Sequence, residues 1–192
     1  MSGFLLTRLH QRHTQLRERL NILARQLDGL EAGQEPDFAA MVYLLEGLTG
    51  VAQRHHEQSE DQLLDRLATR APRYTDLATG LRDQRRCAIA CGEQTYTMAK
   101  AVRDGNIVRR DQLVRTGRRF VSQFHTLLGR EENELFPLLY GSLRRSDWVE
   151  ITTQCRSDSR MSARPRDDAG FTTVTGNLVC PRSRGTNAGT RW

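Results

Sequence analysis

The chain is short of aromatics, prolines, lysines and long apolar runs, and each shortage excludes something. Only 6% of its 192 residues are aromatic and five are proline. So few strand formers and helix breakers lean towards helix over sheet. No apolar stretch approaches a membrane span, and Phe4-Leu5-Leu6 is too short for the core of a signal peptide. Membrane association is therefore not expected, and a cytoplasmic location is. The four cysteines, Cys87, Cys91, Cys155 and Cys180, show no Cys-x-x-Cys spacing, which fits a reduced compartment. Cys87 and Cys91, one helical turn apart, read as small packing residues, since a disulfide between them would strain the helix. Equally missing are a glycine-rich phosphate loop before a helix and a nucleophile with an activating base. The Glu-x-x-His pairs of ferritin-like di-iron oxygenases are absent too. No enzymatic activity is expected.

The net charge of +6 would suit nucleic acid, but its distribution does not. Residues 156–192 hold seven arginines against Asp158, Asp167 and Asp168, which accounts for most of the excess. The remainder of the chain carries mixed charge on helix faces. Lys100 is the only lysine, so the arginine surplus reads as gene composition rather than a recognition patch.

What is present is helical periodicity. Leu6, Leu9, His13, Leu16, Leu20, Leu23, Leu27 and Leu30 step by threes and fours, describing one apolar stripe with a histidine inside it. A turn with Gly33 and Pro36 follows, and Pro36-Asp37 opens a second helix. Its stripe is Phe38, Met41, Leu45, Leu48, Ala52, His56, Glu60, Leu63 and Leu67, ending at Ala71-Pro72. The pattern predicts a third helix from Tyr74 to Arg103, with Arg85 facing inward, closed by the turn Asp104-Gly105-Asn106. A fourth runs from Ile107 to Tyr140, with Gly117, Phe120, Phe124, Leu127, Glu131 and Leu135 on its seam and Pro137 kinking or ending its regular part. Ser146-Asp147-Trp148 reads as the capped start of one more short turn or helix. Beyond Cys155 the pattern stops. The expectation is an all-α protein, an antiparallel up-down-up-down four-helix bundle over residues 1–150, with a disordered basic tail over 151–192 in which Phe171–Val174 is the one strand-like run.

Depth along such a bundle follows from the helical rise. His13, Glu60, Arg85 and Glu131 all fall about 14–16 Å from the same end. Scattered core polar residues have no reason to agree in height. Imidazole and carboxylate on apolar faces are costly to bury unless they hold something, and a metal ion is the usual occupant. His56 and Glu60, four apart, share a helix face. His55, Glu57, Asp61 and Glu132 flank these positions and are expected to be solvated.

Together these motifs resemble the hemerythrin-like, or HHE cation-binding, family over roughly residues 4–150. The matching residues are His13 in LHQRHTQL, His56 and Glu60 in His-x3-Glu, and Glu131-Glu132 ahead of Leu135-Phe136-Pro137. Three residues depart, at two places. Gln84 and Arg85 stand where the family has Glu-His, and Leu127 stands where its fourth helix has a histidine. His125 cannot replace Leu127, because two residues turn a helix by about 200°. The resemblance implies a non-haem iron site, di-iron or mononuclear, for oxygen or nitric-oxide binding or a redox or iron response. Its metal ligands here would be His13, His56, Glu60 and Glu131. Arg85 cannot ligate and stays charged, so it is expected to pair with Glu60 or Glu131 and fill a cation's place. The alternative is a metal-free interaction or regulatory module.

Overall fold

The computed structural model describes residues 2–162, except for the side chains of residues 2–4, 51–59 and 155–162. All of the regular structure among the described residues is helical. Helix α1 spans Ser2–Glu31. It stops where Gly33 takes a positive φ of 83° and Gln34 N–H returns to the Gly29 carbonyl at 2.9 Å, a closure that glycine makes at little steric cost. Helix α2 spans Phe38–Thr49, and its N-cap Asp37 accepts from Ala40 N–H at 3.0 Å.

The second helix is not continuous. Gly50 adopts an extended conformation and its N–H returns to the Glu46 carbonyl, after which α3 spans Val51–Arg70. A side chain at position 50 would place its Cβ 2.4 Å from that carbonyl oxygen, so the interruption needs glycine. The break at Ala71-Pro72 is as the sequence pattern has it, with a 3-10 turn over Pro72–Tyr74 and then α4 over Thr75–Arg103.

The fourth segment begins at Arg110, three residues later than its pattern suggests, because Ile107 is 92% exposed and joins no core. Helix α5 spans Arg110–Arg130, a π-helical turn covers Glu131–Leu135, and α6 spans Phe136–Ser142. Pro137 explains the wide turn. It has no N–H for the Asn133 carbonyl, and Phe136 N–H bonds the Glu131 carbonyl five residues back instead of four.

Helix α7 spans Arg145–Ser162, so helical structure continues past residue 150. Its first turn is fixed by Asp147, which accepts from the Arg144 amide at 2.8 Å and from Arg70 of α3. Trp148 and Ile151 are buried against Leu63, Leu64, Leu67 and Leu139. Cys180, the Phe171–Val174 run and the rest of the predicted tail beyond Ser162 lie outside the described residues.

Helix α5 packs along both α1 and α4, and α2 packs along α4. Ion pairs give the directions: the middle of α1 meets the π turn that follows α5 through Arg17–Glu132, and the last turn of α1 meets the first half of α5 through Asp28–Arg118. Two apolar clusters fill the interior. One gathers Leu16 to Leu30, Met41 to Leu48, Ala88 to Ala99 and Leu113 to Leu128. The other gathers Leu5 to Leu9, Leu63 to Ala71, Ala78, Leu81, Leu127 and Leu135 to Ile151. Each fully buried leucine in them contributes ~1.5–3 kcal/mol. Between them lies a polar layer: His13 sits between Leu9 and Leu16, Arg85 between Leu81 and Ala88, and Glu131 between Leu128 and Leu135.

Candidate metal centre

Four helical segments each deliver one residue to this layer. His13, Glu60, Arg85 and Glu131 are all buried, with Arg85 only 5% exposed. Taking such charges out of water costs several kcal/mol each, and only mutual pairing offsets that. Pairing is dense. Arg85 Nη2 lies 2.7 Å from Glu60 Oε2 and 2.7 Å from Glu131 Oε1, while Nη1 lies 3.0 Å from Asp61 Oδ1. The imidazole occupies the other side of the same carboxylates. His13 Nε2 is 3.3 Å from Glu60 Oε1 and 3.4 Å from Glu131 Oε2.

The opposite ring nitrogen is anchored separately. His13 Nδ1 donates to Glu132 Oε1 at 2.9 Å, and Arg17 holds Glu132 in a fork with bonds of 2.6 and 2.9 Å. An Nδ1–H committed to a carboxylate leaves Nε2 aimed into the layer, the orientation in which metal-binding histidines are held. Phe136 packs against the His13 ring with centroids 5.3 Å apart.

These contacts set the protonation preferences. Burial lowers the affinity of His13 for a proton, but the hydrogen bond to Glu60, the charges of Glu60 and Glu131 and the hydrogen bond to Glu132 outweigh it and the pKa rises. Burial likewise opposes the Arg85 charge, and Glu60 and Glu131 more than restore it. Burial and the neighbouring Glu60 push the Glu131 carboxyl up to about 7, against the attraction of Arg85 and His13. Glu132 is held below the usual carboxylate range, since the Arg17 hydrogen bond overcomes its partial burial.

A model of the hemerythrin HHE cation-binding domain matches residues 5–139. The chain belongs to that family. No curated protein and no solved structure matches it. The ligand set the HHE motifs imply can now be placed residue by residue. His13, Glu60 and Glu131 converge, with one donor atom from each within 4.8 Å of the others. The fourth expected ligand, His56, lies on α3 one turn before Glu60, and its side chain is outside the described residues.

The two departures from the HHE pattern have separate consequences. Leu127 is buried in apolar contact with Leu135 and its neighbours and offers nothing to a metal. Arg85 is inside the layer, paired with both carboxylates rather than one. Gln84 faces away from the layer, accepting from Arg130 at 2.9 Å. A two-iron centre does not fit this donor set, because a guanidinium carrying only donors stands where a second ion would need the same oxygens. A single ion suits two of the three donor separations. Tetrahedral ligands at about 2.0–2.1 Å from a metal lie about 3.3–3.4 Å apart. The His13-to-carboxylate distances of 3.3 and 3.4 Å match that separation, the first of them also being the hydrogen bond to Glu60, and all three donor atoms lie within 4.8 Å of one another.

Two flanking residues behave differently from expectation. Glu132, read as solvated, is 21% exposed by side chain and grips His13. In the wider π turn, successive side chains diverge less than in an α-helix, which lets Glu131 and Glu132 both reach His13. Asp61 is 47% exposed by side chain, as a solvated position should be, yet it anchors Arg85 and meets Arg82. Arg17 went unnoticed in the sequence, although its spacing of four from His13 puts it on the same face of α1.

Among the described residues no helix is long and apolar enough to cross a membrane.

Proposed function

We propose that this protein holds one divalent transition-metal ion, with iron as the expected ion, among His13 Nε2, Glu60 Oε1 and Glu131 Oε2. The observation that carries the reading is the convergence of these buried atoms at metal-ligand spacing, with His13 Nδ1 already committed to Glu132. Mixed imidazole and carboxylate donors suit iron and zinc. The proposal takes the long helices as an up-down-up-down four-helix bundle, in which His56 on α3 is the remaining candidate ligand. Three protein donors leave coordination positions open, where bound iron would supply reversible attachment of a small diatomic molecule such as oxygen or nitric oxide.

The protein's own residues do the rest. Glu132 and Arg17 fix the imidazole, and Arg85 offsets one of the two carboxylate charges. Apolar clusters on both sides of the layer keep bulk water away. Nothing in this arrangement acts as a nucleophile, so the role proposed is binding and response in the cytoplasm, without catalysis or a nucleic-acid partner.

One observation favours a second reading. Arg85 and His13 each pair with both Glu60 and Glu131, so a guanidinium and an imidazolium together offset the two carboxylates without a metal, and the layer would also suit a metal-free interaction or regulatory module. Iron(II) titration under anaerobic conditions, followed by desalting and elemental analysis, separates the two. One equivalent retained by the parent and lost in both His13→Ala and Glu60→Ala supports the metal reading. Retention of none, or retention unchanged in both variants, sinks it.

A further inference from the structure

Glu60 and Glu131 present their oxygens to two separate places. Glu60 Oε2 and Glu131 Oε1 converge on Arg85 Nη2, both at 2.7 Å. Glu60 Oε1 and Glu131 Oε2 converge on His13 Nε2, at 3.3 and 3.4 Å. The pair of carboxylates therefore has two cation seats, one on each side, and each carboxylate contributes one oxygen to each seat. The seat beside His13 has a nitrogen donor. The other is filled by a side chain that is permanently charged, 5% exposed and pinned at its second terminal nitrogen by Asp61 at 3.0 Å. It cannot be titrated away, and it shares no lone pair with a metal.

We propose that Arg85 is a built-in cation occupying one seat of a two-cation centre. It costs the site one metal ion, and it offsets one of the two carboxylate charges whether or not the other seat holds a metal. For the identity of the ion in the other seat this rests on the metal-binding reading above; the cost of one ion does not, because it is a difference between two chains.

The test is cobalt(II) titration of the parent, Arg85→His and Arg85→Lys. Bound metal is counted after desalting, d–d absorption is recorded, and the thermal midpoint is measured with and without cobalt(II). The histidine supplies a donor in place of a charge and should take up one cobalt(II) more per chain than the parent, with new d–d intensity. The lysine keeps a charge there and should match the parent's count. Without metal, Arg85→His should melt below the parent and regain the loss when cobalt(II) is added; Arg85→Lys should not respond in this way. A parent that binds none beside an Arg85→His variant that binds one leaves this proposal standing and removes the native metal function. One ion in each does the reverse. Two ions in the parent, a lysine variant that counts like the histidine variant, or an Arg85→His chain that folds neither with nor without cobalt(II) also overturns the proposal.

Discussion

Replacing Glu132 by glutamine should weaken metal binding while leaving the fold almost untouched. Glu132 Oε1 accepts from His13 Nδ1 at 2.9 Å and from Arg17 Nη1 at 2.6 Å, and Oε2 accepts from Arg17 Nη2 at 2.9 Å. A glutamine has one accepting oxygen. If that oxygen keeps His13, its amide N–H groups face the Arg17 fork, donor against donor; if it turns to Arg17, His13 Nδ1 loses its acceptor. Either way the imidazole is less firmly aimed. Loss of such an outer hydrogen bond typically costs 10–100-fold in metal affinity, about 1.4–2.7 kcal/mol. The Arg17–Glu132 pair itself is 32% and 21% exposed by side chain, and partly solvated pairs are worth only ~0–1 kcal/mol to folding. Competitive titration against a chelator of known affinity reads the first quantity and urea unfolding of the metal-free protein reads the second. The expected pattern is a Kd raised at least tenfold with a change in unfolding free energy of about 1 kcal/mol or less. An unchanged Kd would refute the idea that Glu132 positions His13. Complete loss of binding would make Glu132 a ligand and refute the three-donor site.

Three further outcomes test the frame around the site. Gly92→Ala puts a methyl 2.6 Å from Thr49 Cγ2 and 2.7 Å from Phe120 Cε2, so overpacking should exceed the helix-propensity gain and destabilise by about 1–2 kcal/mol in urea unfolding. Trp148→Ala should cost about 3–5 kcal/mol, because the indole is buried in the second apolar cluster; a near-neutral result would detach α7 from the core. Asp147 is held below the usual carboxylate range by hydrogen bonds from Arg70, against the effect of burial, with help from the Arg144 amide. Its folded pKa lies below its unfolded value, so its contribution is complete above about pH 4 and is lost as pH falls through the folded value. The melting gap between the parent and Asp147→Asn should accordingly be full at pH 6 and shrink below about pH 4; a gap that widens on acidification would reverse the sign.

Periodicity and helical rise are enough to place the polar layer from the sequence. Leu9, His13 and Leu16 share one face because of their spacing, and a rise of about 1.5 Å per residue puts Glu60, Arg85 and Glu131 at the same depth. That arithmetic assumes regular helices, and it failed where helices are irregular. Gly50 interrupts the second helix through a backbone state that a hydrophobic stripe does not register. Pro137, six residues after Glu131, widens the turn that begins there and brings Glu132 into the site, whereas a regular helix would direct it elsewhere. The proline was visible; the π turn that answers it was not. Helix α7 carries too short an apolar face to signal its length, since Trp148 and Ile151 are its buried apolar residues among the described side chains. Arg85 was anticipated as a partner for one carboxylate, and finding it between two is what separates a single-ion site from a two-ion one.

Anomalous diffraction from crystals of the metal-loaded protein tests the central claim most directly. The prediction is one peak per chain, bounded by His13 Nε2, Glu60 Oε1 and Glu131 Oε2, with Arg85 still between Glu60 Oε2 and Glu131 Oε1. A second peak in the place of the guanidinium, or no peak at this layer in metal-saturated crystals, would contradict it.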